Sequence, residues 1–253
     1  MKITRRQLRN LILSEALKFN QFDQCALFKD TQGDRTMYVL FDLALINPLS
    51  TMSKDTNIWP YYIDELAKKT PYLYGMIETD EPALPCNAAQ EIIMSAAQPG
   101  WGPTMYDIVM GDNQFGVIGD RGTVSPEAFN LYKYYNANRT GKSSTGRPTG
   151  DVEKFPLDHT DLKWTKAPYD DCIPGSVGKY LTMDFYDNFT HQSFLKDPLS
   201  WSYNRDVVPN RDILDANMEK VEDYLVHQED FDVKQVRSIF RIMGKSFFAS
   251  KVR

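Results

Sequence analysis

The chain contains few of the histidine and cysteine residues that commonly form metal sites or disulfide bonds. It has three histidines and three cysteines in 253 residues. The cysteines, Cys25, Cys86 and Cys172, are far apart and form no Cys-x-x-Cys pair. The sequence therefore predicts neither a thiolate zinc site nor a disulfide framework, and a reducing cytosol is the expected setting.

Long apolar runs and a strong excess of one charge are also missing. No run approaches the roughly 20 apolar residues of a transmembrane helix, so we expect no membrane association. The net charge of −5 does not favour a general nucleic-acid-binding role. Both ends are nevertheless basic, because residues 1–10 and 234–253 contain lysines and arginines but no acid. Nucleic-acid binding through the termini therefore stays open.

The most informative pattern lies between residues 90 and 137. A predicted strand at 90–97 leads into the turn Gly100-Trp101-Gly102-Pro103 and a helix, and strand 115–119 and helix 126–137 follow. Ser125 is a typical N-cap for the second helix. The remaining apolar patterns predict strands at 37–41 and 72–79, with Leu43 to Ile46 extending the first strand, and helices at 61–69, 217–227 and 233–243.

Composition divides the chain into four predicted parts. Glycine, serine, threonine and proline dominate residues 140–151 without a large apolar residue, which indicates a linker. The predicted parts are a basic amphipathic leader at 1–19, an α/β domain at 20–140, a linker at 141–151 and a loop-rich, helical C-terminal extension at 152–253.

The glycine turn resembles the cofactor-binding turn of the GCN5-related N-acetyltransferases, in which Gln/Arg-x-x-Gly-x-Gly/Ala opens a helix beside a splayed central strand. Amides at a helix N-terminus are unpaired and favour an anion, and glycine lets the backbone approach a pyrophosphate closely. The resemblance implies a mixed sheet with flanking helices that binds acetyl-CoA. In this sequence, whose Gln stands one position late, the implied site residues are Gln98, Gly100, Trp101, Gly102 and Thr104.

The following helix extends this resemblance. The family commonly has Asn-x-x-Ala-x-x-Leu-Tyr-x-Lys here, and the chain matches it at Ala128, Leu131, Tyr132 and Lys133. The resemblance implies that Tyr132 protonates the leaving thiolate, a role open to a phenol at a dry site. The alternative is that Tyr132 packs as an ordinary helix aromatic.

An acetyl transfer to an amine also needs a general base. Glu78 and Glu91 lie on the predicted strands that flank the site and are the candidates. The alternative for each is a solvated strand residue without a role in chemistry.

Two stretches resemble proteins of large tailed bacteriophages. Residues 1–15 resemble the leaders that target proteins to the prohead and are cut by a prohead protease after Leu/Ile-x-Glu, here Leu13-Ser14-Glu15. The alternative is an N-terminal helix packed on the domain. A GPxxYD…DRxxVS pattern of phage proteins is matched with Asp107, Asp120 and Arg121, and we interpret its Asp-Arg pair as a structural bridge rather than a catalytic pair.

Two functions follow from these resemblances. The first is an enzyme that transfers an acetyl group from acetyl-CoA to an amine, for example on a protein in the host cytoplasm. The second is a non-enzymatic internal head protein of the virion, bound to other head components, that keeps the fold without the reaction. An open groove beside Gly100 and Gly102 would favour the enzyme. A groove filled by Trp101 or by the C-terminal extension would favour the head protein.

Overall fold

The computed structural model describes most of the chain outside its N-terminus. The described residues are 22–52, 59–69, 71–83, 86, 88–120, 123–140, 150–157, 176–177 and 196–251. The predicted leader at 1–19, most of the linker at 141–151, and Arg121 lie outside them. No helix in these ranges has both the length and the apolar character needed to cross a bilayer.

A seven-stranded mixed sheet organises the described residues. Its order is β1-β2-β3-β4-β5-β9-β7, and every neighbouring pair is antiparallel except β4 and β5. Two further short strands, β6 and β8, pair in parallel. The strands are β1 (Cys25–Gln32), β2 (Arg35–Asp42), β3 (Leu73–Ala83), β4 (Ala89–Ala97), β5 (Val117–Gly119), β6 (Thr123–Val124), β7 (Glu153–Pro156), β8 (Ser176–Val177) and β9 (Trp201–Asn204). The predicted α/β class with a mixed sheet is confirmed.

Six α-helices in the described ranges cover both faces of this sheet. They are α1 (Ile46–Ser50), α2 (Trp59–Lys69), α3 (Gly102–Asp112), α4 (Pro126–Tyr134), α5 (Arg211–His227) and α6 (Val233–Lys251). One core cluster lies between the sheet and α3 and α4, and the other between the sheet and α1, α2, α5 and α6. Because both faces are buried, β2 is a continuous apolar run, with Tyr38 and Leu40 in the first cluster and Val39 and Phe41 in the second.

Several local predictions need correction. Residues 43–46 do not extend a strand: the Asp42 side chain accepts a hydrogen bond from Ala44 N at 2.8 Å, which starts a 3₁₀ turn that leads into α1. Cys86 is disulfide-bonded, contrary to the prediction from the cysteine spacing. The division at 141–151 stays a prediction, although β7 and β9, which follow it, complete the sheet begun by β1 to β5.

Candidate functional site

A gap between the two parallel strands creates the candidate site. β4 and β5 pair only where Gln90 to Ile92 lies beside Val117 to Gly119. Beyond Ile92, β4 continues to Ala97 with β3 as its partner, while β5 has ended. Residues 93–97 consequently line a cavity of about 1280 Å³, which is also bounded by the start of α3 and by α4.

The glycine turn places the start of α3 on the wall of this cavity. Gly100 has a φ of +87°, in the left-handed region that favours glycine. Gly102 and Pro103 then open α3, a position that suits proline. Helix geometry provides no intrahelical acceptor for the N–H groups of Gly102 and Thr104, and both residues line the cavity. The positive end of the helix dipole therefore faces the cavity.

Two of the predicted cofactor residues have structural contacts instead. The Gln98 side chain, although at the cavity, donates hydrogen bonds to the carbonyls of Leu73 and, at 3.0 Å, Pro71. The backbone N–H of Trp101 donates a hydrogen bond to Gln98 O at 3.0 Å, so this amide already has an acceptor within the turn. The Trp101 ring is buried and stacks on Tyr74, with ring centroids 4.2 Å apart. Trp101 therefore packs in the core and does not fill the groove.

Tyr132, the predicted acid, lies on the cavity wall within a group of tyrosines. Its ring centroid is 5.6 Å from that of Tyr106 on α3 and 5.6 Å from that of Tyr203 on β9. The Tyr106 hydroxyl is 3.2 Å from Ser95 Oγ on β4. Burial raises the pKa of Tyr106, and hydrogen bonds with Ser95 and Tyr132 act in the opposite direction. The two interpretations of Tyr132 are thus compatible in space, because it both packs and reaches the cavity.

The structure does not bring Glu78 and Glu91 to the cavity. Glu78 is two residues after Met76, whose side chain belongs to the cluster under α6, and strand alternation puts Glu78 on that same face. Its Oε1 lies 4.0 Å from Arg35 Nη1. Glu91 precedes Ile92, which faces α3, and so projects to the other face. The sequence placed both on flanking strands correctly, but it could not show which face each one occupies.

A buried charge cluster that the sequence analysis did not predict lies next to the start of α3. Asp107 on α3 is 2.7 Å from Arg205 Nη1 and 3.1 Å from Arg139 Nη2, both measured to Oδ2. The Tyr135 hydroxyl lies 2.8 Å from Asp107 Oδ1 and 2.8 Å from Pro103 O. Burial, with a contribution from the negative charge of Asp107, raises the pKa of Tyr135 well above its ordinary value. Asp107 is therefore a structural bridge. The interpretation of the Asp120–Arg121 pair as a bridge stays a prediction, because Arg121 lies outside the described residues.

The outer side of this cluster is closed by Asp151. Its carboxylate contacts Arg139 through Nε and Nη2, and Arg205 through Nη2 at 3.2 Å. Burial acts to raise the pKa of Asp151, but Arg139 and Arg205 outweigh it and hold the pKa below the ordinary value. A π-helical turn over Tyr135–Arg139, which continues α4, brings Arg139 to this position. Four separate segments meet here, so no local sequence signal could have predicted the cluster.

The opposite end of α3 is anchored by a second charge cluster. The Asp112 side chain is 6% exposed and lies 2.6 Å from Lys29 Nζ and 2.8 Å from the Tyr38 hydroxyl, and it also contacts Arg211. Burial acts to raise the pKa of Asp112, but hydrogen bonds from these three side chains lower it below the ordinary value. Ties to β1, β2 and α5 thus hold α3 in place, so that its N-terminus stays at the cavity.

No family model matches this chain, and neither a curated protein nor a solved structure is significantly similar to it. Within the described ranges, no group of three or more histidine, cysteine, aspartate or glutamate side chains could hold a metal ion.

Proposed function

We propose that the chain binds acetyl-CoA in the cavity beside α3 and transfers the acetyl group to an amine. The observation that carries this proposal is that Gly102 and Thr104, at the start of α3, line the same cavity as Tyr132. Its volume of about 1280 Å³ exceeds the roughly 300–1,000 Å³ of most small-molecule pockets and gives room for a long ligand.

The topology around the cavity supports the resemblance to the GCN5-related N-acetyltransferases. In that family a central strand splays from its neighbour, and the helix after the glycine turn begins in the gap. Here β4 and β5 are parallel neighbours that pair over three residues each, and α3 begins beside the unpaired part of β4. Among the described residues, Trp101 packs outside the groove, which favours the enzyme, while the C-terminal extension forms part of the groove wall through Arg205, Phe248 and Lys251.

The chemistry requires an anion site, an acid and a base. The amides at the start of α3 would hold the pyrophosphate, because unpaired N–H groups and the helix dipole favour negative charge there. When the amine nitrogen bonds to the acetyl carbon, the carbon–sulfur bond breaks and the Tyr132 hydroxyl would protonate the sulfur. The proton lost by the amine needs another acceptor, and Asp120 and Glu127 are carboxylates that line the cavity.

Isothermal titration of acetyl-CoA into the purified chain tests the binding step. Gly102→Glu would place a carboxylate at the start of α3 and should abolish binding by repelling the pyrophosphate. Gly102→Gln is the matched control, because its side chain enters the same open space without a charge, and it should weaken binding less than Gly102→Glu. Absence of wild-type binding at millimolar acetyl-CoA, or equal affinity in both variants, would contradict the proposal.

The second candidate is an internal head protein of a phage that keeps the scaffold without the reaction. The observation in its favour is that both predicted bases, Glu78 and Glu91, lie away from the cavity. Other head components would then be its partners, and the virion its location. Mass spectrometry of purified virions tests this candidate, and a peptide that begins at Ala16 would support removal of the leader. Absence of the chain from virions would contradict it.

A further inference from the structure

Two arginines on the cavity wall, Arg139 and Arg205, form a pair because both contact the same buried carboxylate, that of Asp107. The side chains of Arg139 and Arg205 are 15% and 13% exposed, and both residues line the cavity. Asp107, whose side chain is 12% exposed, contacts both guanidinium groups. Because Asp107 neutralises only one of the two positive charges, the pair needs a second anion on its outer side.

In the structure that second anion is Asp151, and it differs from Asp107 in its surroundings. The Asp151 side chain is 49% exposed, about four times the exposed fraction of Asp107. Arg205 Nε is buried and, among the described residues, has no hydrogen-bond acceptor. The arginine pair therefore has an N–H group that can donate a further hydrogen bond. The Asp151 carboxylate can move into solvent without passing through the core.

The arginine pair lies close to the other anion-binding feature of the cavity. The Tyr135 hydroxyl contacts Pro103 O in the first turn of α3 and Asp107 Oδ1 inside the pair, each at 2.8 Å. Pro103 and Asp107 are four residues apart, which is about 6 Å along a helix. A ligand with a diphosphate at the start of α3 and a second anionic group one helical turn away would meet both features.

We propose that the Arg139–Arg205 pair binds a phosphate monoester of the cavity's ligand and that Asp151 is the internal anion this phosphate displaces. The inference rests on the proposed function, in which the group is the 3′-phosphate of coenzyme A. A phosphate monoester carries about −1.5 to −2 charges near neutral pH, more than one carboxylate. Its oxygens accept paired hydrogen bonds from guanidinium groups, a geometry that arginine provides and lysine does not.

Calorimetric titration with coenzyme A and with dephospho-coenzyme A, which differ only in this phosphate, tests the proposal. The wild type should bind coenzyme A about tenfold more tightly or better, as expected for one charge-assisted hydrogen bond. Arg205→Gln should remove this difference while leaving dephospho-coenzyme A binding unchanged. Asp151→Asn should tighten coenzyme A only. Arg237→Gln on α6, a site 59% exposed and outside the cavity, is the matched control and should change neither.

Several results would overturn the subsite. If the wild type bound the two ligands with equal affinity, the subsite would be wrong and the proposed function would stand. The same would hold if Arg205→Gln lost equal affinity for coenzyme A and for dephospho-coenzyme A. Thermal unfolding must show that this variant is folded. If it is not, Arg205→Lys keeps the charge without the fork and should reduce the difference between the ligands, and an unchanged difference would count against the subsite.

Failure of the proposed function can be separated from failure of the subsite. If neither coenzyme A nor its dephospho form binds, the proposed function is wrong, and adenosine 3′,5′-bisphosphate becomes the probe. Binding of this probe that depends on Arg205 would support the phosphate subsite by itself. No binding of it would overturn the subsite as well.

Discussion

Replacement of Asp107 by asparagine should destabilise the fold, because it removes the inner negative charge of the arginine pair. Asparagine has nearly the same shape, so the substitution creates no cavity, and its amide oxygen can still accept from Tyr135. What is lost is the ionic contact to Arg205 at 2.7 Å and to Arg139 at 3.1 Å. The two guanidinium groups would then share Asp151 as their remaining counter-ion in the cluster.

The magnitude follows from the burial of the partners. Removing one member of a fully buried ion pair typically costs about 3–5 kcal/mol, because the other charge is left uncompensated. Here both arginines keep Asp151 and are 13–15% exposed, so water can partly replace the lost partner. We therefore expect a loss of about 2–3 kcal/mol in the free energy of unfolding. With a urea dependence of about 2 kcal/mol per molar, the midpoint should fall by roughly 1 M.

Urea denaturation followed by circular dichroism and tryptophan fluorescence measures this loss. Asp223→Asn is the matched control, since its side chain is 74% exposed and lies 3.4 Å from His227. The control should change stability by less than about 0.5 kcal/mol. If Asp107→Asn changed stability no more than Asp223→Asn, water would screen the cluster, and our description of it as a buried ionic bridge would be wrong.

Three further predictions concern the anchoring of α3 and the core. Gly111→Ala should lower the free energy of unfolding by about 1–3 kcal/mol, because a Cβ would lie 2.4 Å from Val207 O. Gly102→Ala in the same helix places its Cβ in open space and should leave the free energy of unfolding unchanged. Similar urea midpoints for the two variants would contradict this. Asp112 has a folded-state pKa below its ordinary 3.8, so its contribution to stability is present above that pH and is lost as the pH falls through the folded value. Asp112→Asn should therefore weaken the protein near neutral pH and progressively less as the pH falls below 3.8 in urea titrations, whereas a loss that does not change with pH would contradict the assignment. Burial, with Asp42 nearby, raises the pKa of Cys25 to about 12. At a pH of about 8.5, the ordinary thiol pKa, Cys25 should therefore resist iodoacetamide in the native protein and react after denaturation, as measured by peptide mass spectrometry. Labelling of the native protein would show that the thiol is accessible.

Local signals in the sequence predicted several elements well. The Ser125–Pro126 pair predicted the start of α4, and Ser125 Oγ accepts the hydrogen bond of Ala128 N at 3.2 Å. The apolar run at 90–97 corresponds to β4, Ala89–Ala97. Capping and hydrophobic periodicity act between neighbouring residues, so they can be read without knowledge of the rest of the chain.

Pairing between distant strands was not predictable in the same way. β1 was missed, although it pairs with β2 along its whole length, because its apolar run is only four residues long, Cys25 to Phe28, and polar residues follow it. The faces of Glu78 and Glu91 depend on the register of β3 with β4, which shifts at a bulge after Glu78. A shift of one residue exchanges the two faces of a strand, and nothing local in the sequence determines it.

By itself, the sequence determined the α/β character, the turn at Gly100 and the position of Tyr132 on a helix, because each depends on short-range conformational preferences. Only the tertiary structure decided that Gly102, Thr104 and Tyr132 share one cavity, that Trp101 turns into the core, and that Arg139 and Arg205 meet Asp107 and Asp151. Those contacts join α3, α4, β4 and the segments around β7 and β9, and they form only after strands distant in sequence have paired to complete the sheet.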